Sequence, residues 1–150
     1  MKISVKHYNQ LSLNEFHDLI ALRMEVFVVE QDCPYQDLDG LDKDAYHLII
    51  EENSEIIATS RILKAGVAYP EIAIGRVVSS PKHRDKKLGH LIMSESMKFV
   101  ESTFGQQNIR LGAQTHLTSF YENYAFKSTG KEYLEDGIPH TEMLYDSIKQ

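Results

Sequence analysis

A basic run before a predicted helix is the strongest chemical signal in the sequence. Residues 82–89 read KHRDKKLG and place Arg84, Lys86 and Lys87 directly before a segment with helical apolar periodicity. The amino end of a helix offers unpaired N–H groups and a partial positive charge, both of which favour phosphate groups. Gly89 would allow the backbone close to such a ligand. The spacing alone leaves two interpretations open, a phosphate site and a solvated basic helix cap.

A second cluster of reactive residue types, VFVVEQDCPYQDLDG at residues 26–40, follows the first predicted helix. Its continuation superficially resembles a calcium loop. Alignment on Gly40 nevertheless puts Tyr35 and Tyr46 at the first and last ligand positions, and the terminal Glu is absent. Cys33 has neither a helix start nor a paired histidine beside it to activate the thiol. We therefore expect no metal site here and a structural or incidental role for the cysteine.

Arginine side chains face one another in the predicted hairpin EIIATSRILKAGVAYPEIAIGRVV. There Arg61 would lie roughly opposite Arg76, and like charges in that position are unfavourable. Arg23, on the apolar stripe of the first helix, could join them. One interpretation is internal ion pairing with residues such as Glu30 or Glu51, and this is the favoured one. The other is that the arginines await an external carboxylate.

Composition narrows the class of protein and the partners it can have. The chain has 150 residues, 42% hydrophobic and 25% charged, which suggests a single domain, residues 1–150, with its own core. A net charge of -6 disfavours nonspecific binding to nucleic acid or an anionic membrane. One cysteine excludes an internal disulfide, and MKISVKHYNQ lacks the apolar block of a signal peptide. We therefore expect a cytoplasmic protein that has no membrane partner.

The elements that must position these residues alternate between strands and helices. KISVKHY is a predicted strand, and the capping pattern of Ser12 and Glu15 starts a helix at Leu13. Three strands follow, and then the basic turn runs into a helix that ends near Gly105. A strand, NIRLGAQ, a short helix, HLTSFYENYAF, and a hairpin that turns at DG close the chain. This order predicts an α/β fold, with a mixed sheet covered by helices on both faces.

Two of these stretches, together with the element order, resemble the GNAT superfamily of acyl-CoA N-acyltransferases. Arg84 to Gly89 resembles that superfamily's motif A, R/Q-x-x-G-x-G/A, except that Lys87 replaces the first glycine. QTHLTSFYENYAF is similar to the family's N-x-x-A-x-x-x-Y followed by Gly-Phe, with Gln114 in the Asn position and Tyr121 matching the tyrosine. The resemblance covers essentially the whole chain. LRMEVFVVEQDCPYQDLDG, IGRVV, LGAQTHL and EDGIPH further indicate the ElaA-like branch.

The resemblance implies a fold and a co-substrate site. The fold is the GNAT acyl-CoA N-acyltransferase fold, a central mixed, mostly antiparallel, twisted sheet with helices on both faces. The implied co-substrate is acetyl-CoA, and no metal is expected. One strand would pair with the pantetheine arm and the following loop and helix start would cradle the pyrophosphate, through the residues Val77, Val78, Ser79, Arg84, Asp85, Lys86, Lys87, Leu88, Gly89 and His90. Gly75 would lie near an irregularity in that strand.

The same resemblance implies catalytic roles. Tyr121 would protonate the departing CoA thiolate, although from its residue type alone it reads as a core aromatic. The attacking amine must be neutral, so His116 is the expected general base because its ordinary pKa lies near neutrality. Glu30 or a relayed water are the alternatives, and His140 and Glu142 are weaker candidates.

The implied acceptor is a primary amine of a small molecule or a peptide, attacked directly within a ternary complex. The expected substrate-facing residues are Glu30, Gln31, Tyr35, Arg76 and Gln114. An arginine there would suit an amine that also carries an acidic group. Two alternatives remain open, a noncatalytic acyl-CoA-binding sensor or interaction module and transfer of a longer acyl chain. A homodimer is possible, and the sequence does not identify the acceptor.

Overall fold

The computed structural model describes residues 1–150, and its elements follow the predicted order. One sheet carries seven strands, and three α-helices connect them. The bounds are β1 Lys2–His7, α1 Leu13–Met24, β2 Ala45–Glu52, β3 Glu55–Leu63, β4 Ile72–Ser79, α2 Leu88–Phe104, β5 Ile109–Gln114, α3 Thr118–Glu122, β6 Phe126–Glu135 and β7 Ile138–Tyr145.

The sheet opens between its two central parallel strands. Its strand order is β1-β2-β3-β4-β5-β7-β6, and every neighbouring pair is antiparallel except β4 and β5. β4 and β5 pair only at Ile72 with Ile109 and at Ala73 with Arg110. The remainder of β4, residues 74–79, therefore has no strand partner on that side. The prediction of a mixed, mostly antiparallel sheet is confirmed, and its free inner edge is where a site can form.

Helices cover both faces of the sheet, as predicted. On one face α1 packs through a buried cluster that includes Leu19, Leu22 and Val78. On the other face Ile92 of α2 packs with Leu48 and neighbouring aliphatic side chains of the sheet. Each such aliphatic side chain contributes about 1.5–3 kcal/mol when fully buried. No helix is long and apolar enough to cross a membrane.

The first helix begins as predicted but continues in a different form. Ser12 accepts from the backbone N–H of Glu15, whose side chain accepts from the N–H of Ser12, and this reciprocal cap starts α1 at Leu13. After α1 the backbone widens into a π-helical turn over Glu25–Glu30. Such turns are rare and occur frequently at functional sites. The turn places Glu30 and the residues that follow it beside the open end of the sheet.

Arg61 and Arg76 lie roughly opposite each other, as predicted, but a bulge in β4 offsets them by one residue. Arg61 pairs with Gly75, and the register between β3 and β4 shifts next to this pair. Arg76 itself adopts φ 49°, in the left-handed region. The irregularity expected near Gly75 is therefore present, but the strained backbone belongs to the arginine.

Candidate active site

The basic run forms the entrance to α2, at the end of the free edge of β4. A 3₁₀ turn spans Pro81–Lys86, and Lys87 follows in the left-handed conformation with φ 52°. The α-helix then begins at Leu88, so Leu88, Gly89 and His90 form its first turn. No side chain caps this helix start, which leaves its first N–H groups without side-chain partners. The arrangement offers an anion both N–H donors and nearby cationic side chains.

Val77, Val78 and Ser79 lie on β4 where β5 has diverged. Val77 and Val78 pack into hydrophobic clusters that include α2 and α1, respectively, so the backbone between them is held by both helices. An extended chain that carries amides can add to such an edge by backbone hydrogen bonds. The free edge and the uncapped helix start are consecutive in the chain, so one elongated ligand can contact both.

Two of the basic side chains pair with carboxylates across the site. Arg84 donates to both oxygens of Glu30, at 2.8 and 2.5 Å, and Lys86 pairs with Glu52. The hydrogen bond from Arg84 lowers the pKa of Glu30. Glu30 is therefore held as a carboxylate and is a poorer proton acceptor than its residue type suggests. Its predicted place on the wall of the site remains compatible with this pairing.

Gly89 and His90 also contact the region of α3. A Cβ at Gly89 would lie 3.3 Å from the ring of Phe120, so helix packing favours glycine there in addition to any ligand. His90 Nδ1 lies 2.7 Å from the hydroxyl of Tyr124. These contacts join the start of α2 to the segment that carries Tyr121.

Tyr121 is a core residue with a hydroxyl that has no charged neighbour. Its side chain is 8% exposed and its ring contacts Phe120 and Phe126 edge-on, with centroids 5.0 and 6.3 Å away. Burial alone raises the pKa of Tyr121 to about 12. The phenol therefore stays protonated at neutral pH, which a proton donor requires. A place in the core is therefore compatible with a role for Tyr121 as a proton donor, and the catalytic role stays a prediction.

His116 lies outside the core. It is exposed on a 3₁₀ turn, Thr115–Leu117, that precedes α3, rather than beginning α3 itself. No hydrogen bond or ion pair orients its imidazole ring, in contrast to His90 and His140. The expectation that His116 is the general base stays a prediction, and the structure adds no contact in its favour.

The segment after the π-helical turn forms a wall at the end of β5. Gln31 accepts a hydrogen bond of 3.3 Å from Gln114, the last residue of β5. Further along, the Cys33 thiol donates to the backbone carbonyl of Asp136 at 3.4 Å, in the β6–β7 turn. The wall thus extends from α1 across β5 to this hairpin, and it brings two of the predicted substrate residues together. The hydroxyl of Tyr35 instead donates to Asp37 at 2.7 Å, so its hydrogen is not free to bind a substrate.

The carboxylates of this wall neutralise the three arginines. Arg23 and Arg61 are 1% and 6% exposed, and Arg76 joins them at the rim. The contacts are Arg23–Asp37 at 2.8 Å, Arg23–Asp42 at 2.7 Å, Arg61–Asp39 at 2.8 Å, Arg61–Asp42 at 3.3 Å, Arg76–Asp37 at 2.9 Å and Arg76–Asp39 at 3.4 Å. Three guanidinium groups therefore meet three carboxylates.

Internal compensation of the arginines is therefore observed, but the partners predicted for it, Glu30 and Glu51, are wrong. The partners are instead Asp37, Asp39 and Asp42, because the loop that carries them folds back over the sheet. Arg76 has no positive charge left unpaired for an acidic substrate. Its assignment as a substrate residue stays a prediction without support from its contacts.

The β6–β7 hairpin carries a set of groove residues of which the sequence had indicated only His140, as a weaker candidate for the base. The ring of Tyr133 stacks on His140, with centroids 5.5 Å apart, and extends over β5 so that a Cβ on Gly112 would overlap its hydroxyl. Burial, followed by the charge of the neighbouring Tyr69, raises the pKa of Tyr133. A groove of about 300 Å³ is lined by Thr115, Glu132, Tyr133, Leu134, Pro139 and His140. The two-residue turn DG would have predicted the facing pair Tyr133 and His140, since it fixes the hairpin register.

Comparisons with known proteins identify the family to which this architecture belongs. The Acetyltransferase (GNAT) domain family matches residues 6–147. Protein ElaA of Escherichia coli K12 is 39% identical over 145 residues, which cover 95% of each chain. The crystal structure of an acyl-CoA N-acyltransferase from Pseudomonas aeruginosa has 40% identity and a TM-score of 0.91, covering 96% of this chain and 99% of its own.

The crystal structure of Escherichia coli ElaA superimposes with a TM-score of 0.90 at 37% identity, covering 97% of this chain and 100% of its own. The predicted fold class and the predicted ElaA-like branch are both confirmed. Sequence and structure agree, and the chain belongs to the GNAT acetyltransferase family, in its ElaA-like branch.

Proposed function

We propose that the protein is an acetyl-CoA-dependent N-acetyltransferase that acts on a primary amine of a small molecule or a peptide. The observation that carries the proposal is the free edge of β4, residues 74–79. One 3₁₀ turn connects this edge to the uncapped, basic start of α2. Acetyl-CoA needs both features, because it joins an amide-bearing arm to a pyrophosphate. The similar Pseudomonas aeruginosa protein, an acyl-CoA N-acyltransferase, supports the same co-substrate class.

The residues present fit this co-substrate in two places. The backbone of Val77 to Ser79 has its β5 side unpaired and would bind the pantetheine amides. Arg84, Lys86 and the first N–H groups of α2 would bind the pyrophosphate, where the helix dipole also favours negative charge. When bound, acetyl-CoA supplies an activated acetyl thioester. Backbone N–H groups of β4 would stabilise the negative charge that develops on the thioester oxygen.

Proton transfers then complete the reaction. A primary ammonium and acetyl-CoA give an N-acetyl amide, the CoA thiol and one proton, so a base must accept protons from the amine and an acid must supply the thiol proton. Tyr121 suits the acid, because burial keeps its phenol protonated. Direct attack within a ternary complex agrees with an acceptor wall beside the β4 edge and with a cysteine, Cys33, that is buried rather than poised as a nucleophile.

The acceptor enters from the side formed by Gln31, Gln114 and the β6–β7 hairpin. Gln31 and Gln114 bond to each other, so their amides are pre-positioned for a polar substrate. Arg76 is neutralised by the aspartates of the wall, which removes the main argument for an acidic amine. The acceptor is therefore chosen by polar and anionic groups rather than by a free arginine.

The test is release of free CoA from acetyl-CoA in the presence of a panel of primary amines. The proposal predicts amine-dependent release that grows with protein concentration, together with thermal stabilisation by CoA. Stabilisation by CoA without release for any amine would instead identify a noncatalytic acyl-CoA-binding module. Faster release from a longer-chain acyl-CoA than from acetyl-CoA would revise the acyl donor.

A further inference from the structure

His140 lines the groove of about 300 Å³, which we call the acceptor groove, and one of its two ring nitrogens is bonded to the backbone. Its Nδ1 lies 2.8 Å from the backbone carbonyl of Ile138. A carbonyl oxygen only accepts, so Nδ1 carries the hydrogen of this bond. The stacked ring of Tyr133 holds the imidazole plane at an interplanar angle of 23°. Nε2 is therefore the nitrogen that is left for a second partner, and the orientation of the ring is fixed.

The second partner within the protein is itself an acceptor. Nε2 lies 3.3 Å from a carboxylate oxygen of Glu135, whose side chain is 54% exposed. In neutral His140 with Nδ1 protonated, Nε2 and this oxygen both carry lone pairs and no hydrogen lies between them. Two acceptors that converge at the rim of a groove match a ligand that brings several donors. A primary ammonium brings three.

The position of this pair fits the end of the acceptor wall. His140 on β7 pairs with Gln114 on β5, which bonds to Gln31. His140 also lines the groove of about 300 Å³ beside Thr115. His140 thus lies on β7, the strand next to β5, and Glu135 lies on β6, the edge strand beyond it. His140 remains 9% exposed along its side chain, enough to contact a bound ligand without being a solvated surface group.

The charged side chains around the groove determine whether a cationic or an anionic ligand is favoured there. Glu132 lines the groove and Glu135 borders it. The neighbouring cation Arg110 is held by Glu71 at 2.8 Å and by Glu142 at 2.6 Å. A second cation, the ammonium of Lys131, lies 3.9 Å from Glu142 and 5.8 Å from the centre of the Tyr133 ring. With the arginines of the wall also paired, the groove offers carboxylates and no free guanidinium. A cationic amine is favoured there, and a ligand carboxylate is not.

We propose that His140 and Glu135 form the binding site for the acceptor ammonium, and that the preferred acceptor is a primary amine without a carboxylate. The inference rests on the proposed acetyltransfer and deepens it. Glu135 accepts one N–H of the ammonium. Nε2 of His140 accepts another hydrogen as a proton, so that the ammonium becomes the neutral amine and the imidazole becomes an imidazolium beside the Glu135 carboxylate. His140 is then the base, in place of His116.

Two substitutions separate the roles of the pair. In His140→Asn the side-chain amide can keep the hydrogen bond that Nδ1 makes to Ile138, while the Nε2 acceptor is lost. We expect kcat to fall at least about 50-fold, within the usual range for general-base removal, with KM for acetyl-CoA unchanged. Glu135→Gln is expected to raise KM for the amine about tenfold, because a charge-assisted hydrogen bond is lost. Glu55→Gln, an exposed carboxylate on the β2–β3 hairpin, is the matched control and is expected to change neither constant.

Three amines of similar length test the substrate class. Butylamine, 1,4-diaminobutane and 4-aminobutyrate differ only in the remote group, which is apolar, cationic or anionic. We expect kcat/KM for 4-aminobutyrate to be at least about tenfold below that of the other two. A preference for 4-aminobutyrate, or wild-type constants in both His140→Asn and Glu135→Gln, would overturn the inference.

Binding distinguishes failure of the site from failure of the proposed reaction. Calorimetric titration of 1,4-diaminobutane into the protein saturated with CoA should show binding that Glu135→Gln weakens about tenfold. If no amine is acetylated but this binding is present, the proposed function fails while the ammonium site stands. If no cationic amine binds, or Glu135→Gln binds it as tightly as wild type, the site is wrong.

Discussion

Arg84 and Glu30 form a two-point ion pair that joins the basic start of α2 to the end of the π-helical turn. The two terminal guanidinium nitrogens of Arg84 donate to the two carboxylate oxygens of Glu30, at 2.8 and 2.5 Å. The same guanidinium is one of the groups proposed to bind the pyrophosphate. In the free protein the arginine already pairs with an anion, so a pyrophosphate bound by Arg84 would compete with Glu30 for it.

Glu30→Gln should therefore bind CoA more tightly than the wild-type protein. An exposed ion pair contributes about 0.2–1 kcal/mol, so the expected gain is up to about fivefold in affinity. Calorimetric titration of CoA at two ionic strengths measures it, and the gain should shrink at high salt. Glu101→Gln, on the exposed side of α2, is the control. Weaker CoA binding by Glu30→Gln would mean that the carboxylate positions Arg84 instead of competing for it.

Arg23→Met should destabilise the fold strongly. Its guanidinium is 1% exposed and contacts both Asp37 and Asp42, so its removal leaves each of these buried carboxylates with one arginine partner in place of two. The expected loss is about 3–5 kcal/mol in the free energy of unfolding, measured by urea denaturation. Lys6→Met removes a pair with Glu15 near the surface and should lose no more than about 1 kcal/mol. Equal losses in the two variants would contradict the structural role of the network.

Gly112→Ala should disturb the acceptor groove through Tyr133. The new methyl group would overlap the Tyr133 hydroxyl, whereas it would lie 3.4 Å from the ring carbon that bears it. We expect a loss of about 1–3 kcal/mol in unfolding free energy, as for overpacking, and a higher KM for the amine. Adding Tyr133→Phe removes only the overlapping oxygen and should recover at least half of the stability. A double variant no more stable than Gly112→Ala would show that the strain lies elsewhere.

Acid should weaken the aspartate–arginine network. Burial by itself would raise the pKa of Asp39, but the hydrogen bond from Arg61 and nearby charges outweigh it and lower the pKa to about 2, from 3.8. Because the folded-state pKa is the lower one, the stabilisation is complete above about pH 4 and is lost as the pH falls toward about 2. In Asp39→Asn the loss of unfolding free energy between about pH 4 and pH 2 should be smaller than in the wild type by about 1 kcal/mol, a value reduced for solvent screening. Urea unfolding at several pH values measures this loss. An equal loss in the variant and the wild type would contradict the prediction.

The order of elements and both faces of the sheet could be predicted from the sequence because their signals are local. Apolar periodicity, the Ser12–Glu15 cap and the DG turn each act within a few residues. The basic helix start was found for the same reason. The proposal that it is a phosphate site also depends on the free edge of β4 beside it, and periodicity alone does not predict where that edge lies.

The misplaced pairings depend on long-range geometry. A single bulge at Arg76 moved it out of register with Arg61, and no residue-type signal marks a left-handed arginine. Asp37 and Asp39 reach the arginines because the loop folds back over the sheet, across 39 or fewer residues of sequence separation. The facing pair Tyr133 and His140, in contrast, follows from the register that the Asp136-Gly137 turn imposes on the hairpin.

The most direct test of the account is release of CoA from acetyl-CoA with a cationic amine, measured for the wild-type protein, Tyr121→Phe and Tyr145→Phe. Tyr145 packs near Phe126 in the same core, with ring centroids 5.8 Å apart, so its variant controls for packing. We predict turnover in the wild type and in Tyr145→Phe, and a fall of kcat by about 10²–10⁴-fold in Tyr121→Phe with CoA binding retained. No amine-dependent release by the wild type, or full activity in Tyr121→Phe, would contradict the account.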